Sequence, residues 1–178
     1  EISSPDSAVL GANHYVHIAD LSKTNFQLKS FQLEAGGPSP VNFVTDCNIV
    51  LMQFCFQGEC KCKSNSGKKP LPFKNSEYNI LYIPKGDFSL SPVSKDANLF
   101  SIVVEEEFFL RQIPKDHIVF GHKKKNTFGP VFSKNLYLNP KLKSVLNEIN
   151  TCEFEGHLKM LYLKAKVIEL LTLQLAQS

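Results

Sequence analysis

The sequence has no tryptophan and only two methionines in 178 residues. Its charge is nearly balanced, with 20 lysines and arginines against 17 acidic residues and a net charge of +3. So small a surplus supplies no basic face of the kind that grips nucleic acid. The one dense basic run, Lys123-Lys124-Lys125 between His122 and Asn126, reads as a solvated turn. Five cysteines, at 47, 55, 60, 62 and 152, form an odd count with no dense framework. That pattern predicts reduced thiols in a cytoplasm rather than a disulfide scaffold. No apolar run is long enough to span a bilayer, and no signal-peptide pattern opens the sequence.

Catalytic signatures are equally scarce. There is no Gly-x-Ser-x-Gly elbow, no phosphate loop and no dinucleotide fingerprint, so no cofactor is expected. A metal-dependent barrel enzyme needs several histidines and a carboxylate converging on one ion. His14 and His17 are three apart, which puts them on opposite faces of a strand. His117, His122 and His157 are isolated. Cys60 and Cys62 share a strand face but lack a second pair, so no metal site is predicted. Glu105-Glu106-Glu107 closes a strand where charges ordinarily meet water.

What the sequence does have is strand pattern over its first two-thirds. Phe26–Leu33 alternates but shifts phase, and a one-residue bulge near Lys29 or Ser30 would keep Phe26, Leu28, Phe31 and Leu33 on one side. Gly36-Gly37-Pro38 marks a turn. The run Ile49–Phe56 (IVLMQFCF) is nearly continuous apolar sequence, as in a strand buried on both faces. Tyr78–Ile83, Phe88–Ser91 and Leu99–Val104 are further strands, bounded by Gly, Pro, Asn or Asp with no helix between them. The expected fold is mainly β with α: a cupin-like antiparallel β-barrel or sandwich followed by two C-terminal α-helices. Residues 1–135 would form the barrel with an N-terminal arm, and residues 136–178 a two-helix dimerisation segment.

Asn139-Pro140 reads as a helix start, with Asn as cap and Pro in the first turn. Gly156 opens a second helix that carries two apolar stripes. One is Leu158, Leu161, Ala165, Ile168 and Leu175, with Leu171 beside it; the other is Met160, Leu163, Val167 and Leu170. A helix apolar on two sides must bury both. The second stripe is the expected dimer interface. Phe is abundant, and Phe54, Phe56, Tyr82, Phe88 and Phe100 are candidates to line a ligand site in the mouth of the barrel, although each alone also suits plain core.

Three stretches, QFCFQGE at 53–59, YNILYIP at 78–84 and GHLKMLYLKAKVIELLTLQLAQ at 156–177, together resemble the regulatory half of AraC-type transcription regulators. The likeness covers most of residues 45–178 and is nearest to the branch that includes siderophore-responsive regulators. It implies a non-enzymatic sensor: a cupin-like barrel that binds a small effector, and helices through which two copies pair. Promoter DNA would be bound only by a C-terminal helix-turn-helix part, and no such pattern occurs within 1–178. If the effector is siderophore-like it would bring its own iron. Two rivals remain open at this point: a small cupin-type metal-dependent enzyme, and a stand-alone interaction module whose two-sided helix docks another protein.

Overall fold

The computed structural model describes residues 15–18, 21–34, 40–66 and 69–177. The turn expected at 36–38, the N-terminal arm before Tyr15, and His14 lie outside these residues. The strands are β1 (Tyr15–Ile18), β2 (Phe26–Glu34), β3 (Val41–Thr45), β4 (Ile49–Gln57), β5 (Cys60–Ser64), β6 (Leu71–Phe73), β7 (Glu77–Ile83), β8 (Gly86–Pro92) and β9 (Asp96–Glu105). Helices α1 (Glu106–Arg111) and α2 (Ile118–Lys125) follow, then β10 (Gly129–Pro130), β11 (Leu136–Tyr137), α3 (Pro140–Asn150) and α4 (Gly156–Gln177).

Two sheets face each other as a sandwich. Sheet A runs β1-β3-β8-β5-β6, and sheet B runs β10-β7-β4-β9-β2 with β11 also on β7. Pairing is antiparallel except for β1 on β3. The architecture is the expected mainly-β, cupin-like one, but the two sheets do not close into a continuous barrel.

Sheet B is the wall between two cores. Ile49, Leu51, Cys55, Leu81, Leu99 and Val103 point between the sheets. Val50, Met52, Phe54, Tyr78, Ile80 and Ile102 point the other way, onto α3 and α4. Helices cover the second face, so β4 is buried on both sides, which is why its sequence does not alternate in polarity. Gly58 turns β4 into β5 at φ +77°, and a Cβ there would meet the Asp96 carbonyl oxygen. Only glycine fits that close approach.

Three local expectations change. β2 pairs with β9 in unbroken register, so there is no bulge at Lys29 or Ser30. Phe26 and Leu28 face the helices, while Phe31 and Leu33 face between the sheets. The phase shift in sequence records a strand whose two ends serve different cores; the register break falls in β4, between Cys55 and Gln57. The strand after Glu105 gives way to α1, which Glu106 and Glu107 open as first-turn acids. Lys123, Lys124 and Lys125 are the last turn of α2, where cations suit the carbonyl end of a helix. At α3 the expectation holds: Asn139 Oδ1 accepts from Leu142 N at 2.9 Å, with Pro140 in the first turn.

Candidate functional site

The inter-sheet face of sheet B carries a buried polar row across its middle strands. Gln53 pairs in register with Asn79 on one side and Ser101 on the other, and all three are at most 1% exposed. Ser101 Oγ donates to Gln53 Oε1 at 2.6 Å, and Gln53 Nε2 donates to the Phe54 carbonyl at 3.1 Å. Asn79 replaces a strand neighbour where β10 gives way to β11. Its Nδ2 donates to Phe132 O at 3.2 Å, and its Oδ1 accepts from Phe132 N at 3.2 Å. Lys29 stands across from Ser101 on β2, extending the row toward the sheet edge.

Around this row lie rings and thiols. Phe43 stacks on Phe88 at 4.6 Å, and Phe31 meets Phe43 edge-on at 5.5 Å. Cys60 and Cys62 are buried on β5, sharing a face as the sequence predicts. The hydrogen bond with Cys55 and burial push the Cys60 thiol well up, and burial pushes Cys62 up to about 12. Both stay protonated near neutral pH, which makes them poor nucleophiles. Among the described residues, no cluster of three or more His, Cys, Asp or Glu is arranged to hold a metal ion. His17 pairs with Asp46 at 3.0 Å on the surface.

The helix-facing side holds most of the aromatics expected in a barrel mouth. Phe54 lies 5.9 Å from Tyr78 and 6.3 Å from Phe100, and Phe56 stacks on Phe100 at 6.3 Å. Tyr82 is on the same face, and its hydroxyl donates to Glu106 Oε1 at 2.7 Å. Burial, then that hydrogen bond, pushes the Tyr82 phenol well above its ordinary value. So Phe54, Phe56, Tyr82 and Phe100 do not line the inter-sheet space; of the five candidates only Phe88 does. The physical reason is parity: even-numbered residues of β4, β7 and β9 point at the helices.

Helix α4 lies over that aromatic floor. Leu163, Val167 and Leu170 are 1%, 1% and 0% exposed, inside the chain's own core. The stripe expected at a dimer interface therefore faces inward, with Met160 half-buried at its end. The other stripe is exposed only at its start, where Leu158 and Leu161 are 61% and 60% exposed next to Phe154 at 49%; farther along, Ile168 and Leu175 pack against the core and Leu171 is buried. Tyr78 donates its hydroxyl hydrogen bond to Gln177 Oε1, near the end of α4. Nearer the start, Lys164 Nζ donates to Asn25 Oδ1 at 2.9 Å and sits 5.3 Å over the Phe108 ring. Asn25 Nδ2 in turn donates to Glu105 Oε2 at 2.7 Å, so α4 is tied to the ends of β2 and β9.

Sequence reasoning missed Gln174 and Asn25. Gln174 falls in phase with the buried stripe, and both its side-chain polar atoms are buried without a partner. Asn25 adopts φ +67°, a conformation Asn tolerates well, and the Thr24-Asn25 step before an apolar strand was the available signal.

The family profile described as "Regulatory protein PchR N-terminal domain" matches residues 27–178. The chain belongs to this family. The regulatory PchR-type domain is of the AraC class, the resemblance that the stretches at 53–59, 78–84 and 156–177 carry. No curated protein sequence matches the chain. Among solved structures it is similar to an apo form of ToxT from Vibrio cholerae, at 15% identity over 82% of this chain and 54% of that one, with a TM-score of 0.53. ToxT from the same organism bound to an unsaturated fatty acid matches at 13% identity over 86% of this chain and 54% of that one, with a TM-score of 0.49. The Cnp3 cupin domain of Schizosaccharomyces pombe matches at 15% identity over 51% of this chain and 60% of that one, with a TM-score of 0.38. The PchR-type chain thus spans about half the length of the ToxT structures it matches. No helix among the described residues is long and apolar enough to cross a membrane.

Proposed function

We propose that this domain is a non-enzymatic sensor that binds a small effector between its two sheets and relays occupancy to α4. The observation that carries this reading is the regulatory-domain family match over residues 27–178, joined to the two-faced wall beneath α4. Gln53 and Ser101 face the inter-sheet space; Phe54 and Phe100, the next residues along β4 and β9, face α4. A ligand that shifts the first pair shifts the second, because close-packed walls transmit displacement. The binding energy available for such coupling is typically about 1–3 kcal/mol. The receiving part would be a C-terminal DNA-binding portion outside these 178 residues, acting in a cytoplasm. The effector class we favour is a siderophore-like chelate that carries its own iron.

The reading extends to a homodimer through the exposed patch at the start of α4, Leu158 and Leu161 with Phe154 just before the helix, since the inward stripe is taken up by the core. The effector test is a thermal-unfolding series against ferric phenolate, catecholate and hydroxamate chelates. A chelate at 100 times its Kd should raise the Tm by about 5–10 °C, from mass action in a domain of this size. No shift with any of the three classes would sink the effector assignment. Sedimentation tests the interface. A Leu158→Glu, Leu161→Glu double variant should be monomeric, with a Tm that does not depend on protein concentration. A double variant that dimerises like the parent would remove the exposed patch from consideration.

A further inference from the structure

A second site lies away from the inter-sheet space, where α1, the turn after it and α2 enclose a cleft of about 700 Å³. That volume is in the range of small-molecule sites, about 300–1,000 Å³. Its floor is apolar: Ile113 is buried, and Leu110 and Phe120 are half-buried against the helix-side core. Its rim is cationic, with Arg111, Lys115 and Lys123 set against the single acid Glu107. Lys123 is engaged by Glu106 at 3.7 Å. Arg111 Nε donates to the Glu107 carbonyl at 3.2 Å, so its terminal nitrogens remain for another acceptor. Neither Arg111 nor Lys115 forms an ion pair with a carboxylate among the described residues.

We propose that this cleft binds an amphipathic monoanion, with an apolar ring or chain against Leu110, Ile113 and Phe120 and an anionic head group between Arg111 and Lys115. The proposal goes beyond the effector site between the sheets and does not depend on it. Apolar burial supplies non-directional attraction, and the two cations choose the sign of the head group. A planar guanidinium suits a carboxylate because it can donate two parallel hydrogen bonds. The cleft is also wired to the rest of the fold. The residue before Glu107 accepts from Tyr82 of β7, and Phe108 of α1 lies under Lys164 of α4. An occupant that re-sets α1 therefore acts on the same helix as the inter-sheet effector.

The test is a two-dimensional amide NMR titration of the 178-residue chain with 4-butylbenzoate, using 4-butylbenzyl alcohol as the neutral control. Saturable shifts are expected at Leu110, Ile113 and Phe120, with the alcohol binding at least tenfold more weakly. An Arg111→Gln, Lys115→Gln double variant should retain the parent spectrum elsewhere and bind the benzoate at least tenfold more weakly. Raising the salt concentration should weaken the benzoate and leave the alcohol unchanged. The proposal is overturned if no saturable shift occurs, or if acid and alcohol bind equally. It is equally overturned if shifts gather at Phe43 and Phe88 with an affinity indifferent to the double variant. That last pattern would place the probe in the inter-sheet site instead.

Discussion

The two sheets differ in their surroundings. Sheet A has one buried face: β5 alternates buried and exposed residue by residue, with Lys61 and Lys63 in water between Cys60, Cys62 and Ser64. Sheet B has two: β4 is buried from Ile49 to Cys55, and β7 from Tyr78 to Ile83. The difference comes from helices α1, α2, α3 and α4, which cover one side of sheet B only. An alternating strand can report on one core alone. A doubly buried strand sits between two cores and links them, which is the property the proposed relay requires.

The comparison can be broken most severely at the wall itself. Phe54→Ala on β4 should cost about 3–5 kcal/mol, because a large ring leaves a cavity in a core that relaxes only partly. Lys61→Ala on the solvent face of β5 should stay within about 0.5 kcal/mol. Urea unfolding of both variants checks the contrast, and equal losses would contradict the two-faced account of sheet B. A smaller effect, of opposite sign, is expected where α4 meets that wall. Gln174 buries an amide with no partner, so Gln174→Leu should stabilise the domain by about 1–3 kcal/mol. A loss of stability on the same unfolding curve would mean the amide is satisfied in solution.

The smallest expected effect concerns how α3 is held to α4. Lys166 ion-pairs with Glu148 on α3 and, at 3.0 Å, with Glu169 on its own helix. The hydrogen bond from Lys166 holds the Glu148 carboxyl below the usual carboxylate range. A carboxyl depressed in the folded state adds stability above its unfolded value of about 4.5, and that stability is lost as pH falls through the folded value. Glu148 is exposed and Lys166 half-buried, so solvent screening keeps the contribution small and salt-sensitive. Glu148→Gln should flatten the acid limb of stability against pH, below the unfolded value of about 4.5. An unchanged acid limb would show that the pair adds nothing.

Much of this was readable before any coordinates. A continuous apolar run marked β4 as buried on both faces, and Asn139-Pro140 and Gly156 marked two helix starts. The candidate site was read less well. Phe54, Phe56, Tyr82 and Phe100 were recognisable as a related set, but a strand buried on both faces shows no polarity to say which face is which. Helix α1 was hidden because Phe108-Phe109-Leu110 is too short an apolar run to tell strand from helix. The cleft beside it draws on α1, the following turn and α2, and pairs apolar residues with cations that are unremarkable singly.

The sequence by itself determined the class of fold, the starts of the last two helices, the presence of two apolar stripes on α4 and the family. Periodicity, caps and composition are local properties, and a local reading recovers them. Only the tertiary structure decided which stripe of α4 turns inward, which core each aromatic serves, and that Gln174 is left unpaired. Those outcomes depend on how distant segments meet. Both stripes of α4 are hydrophobic enough to be buried, and the chain's own core takes the whole of one but leaves Leu158 and Leu161 of the other in water.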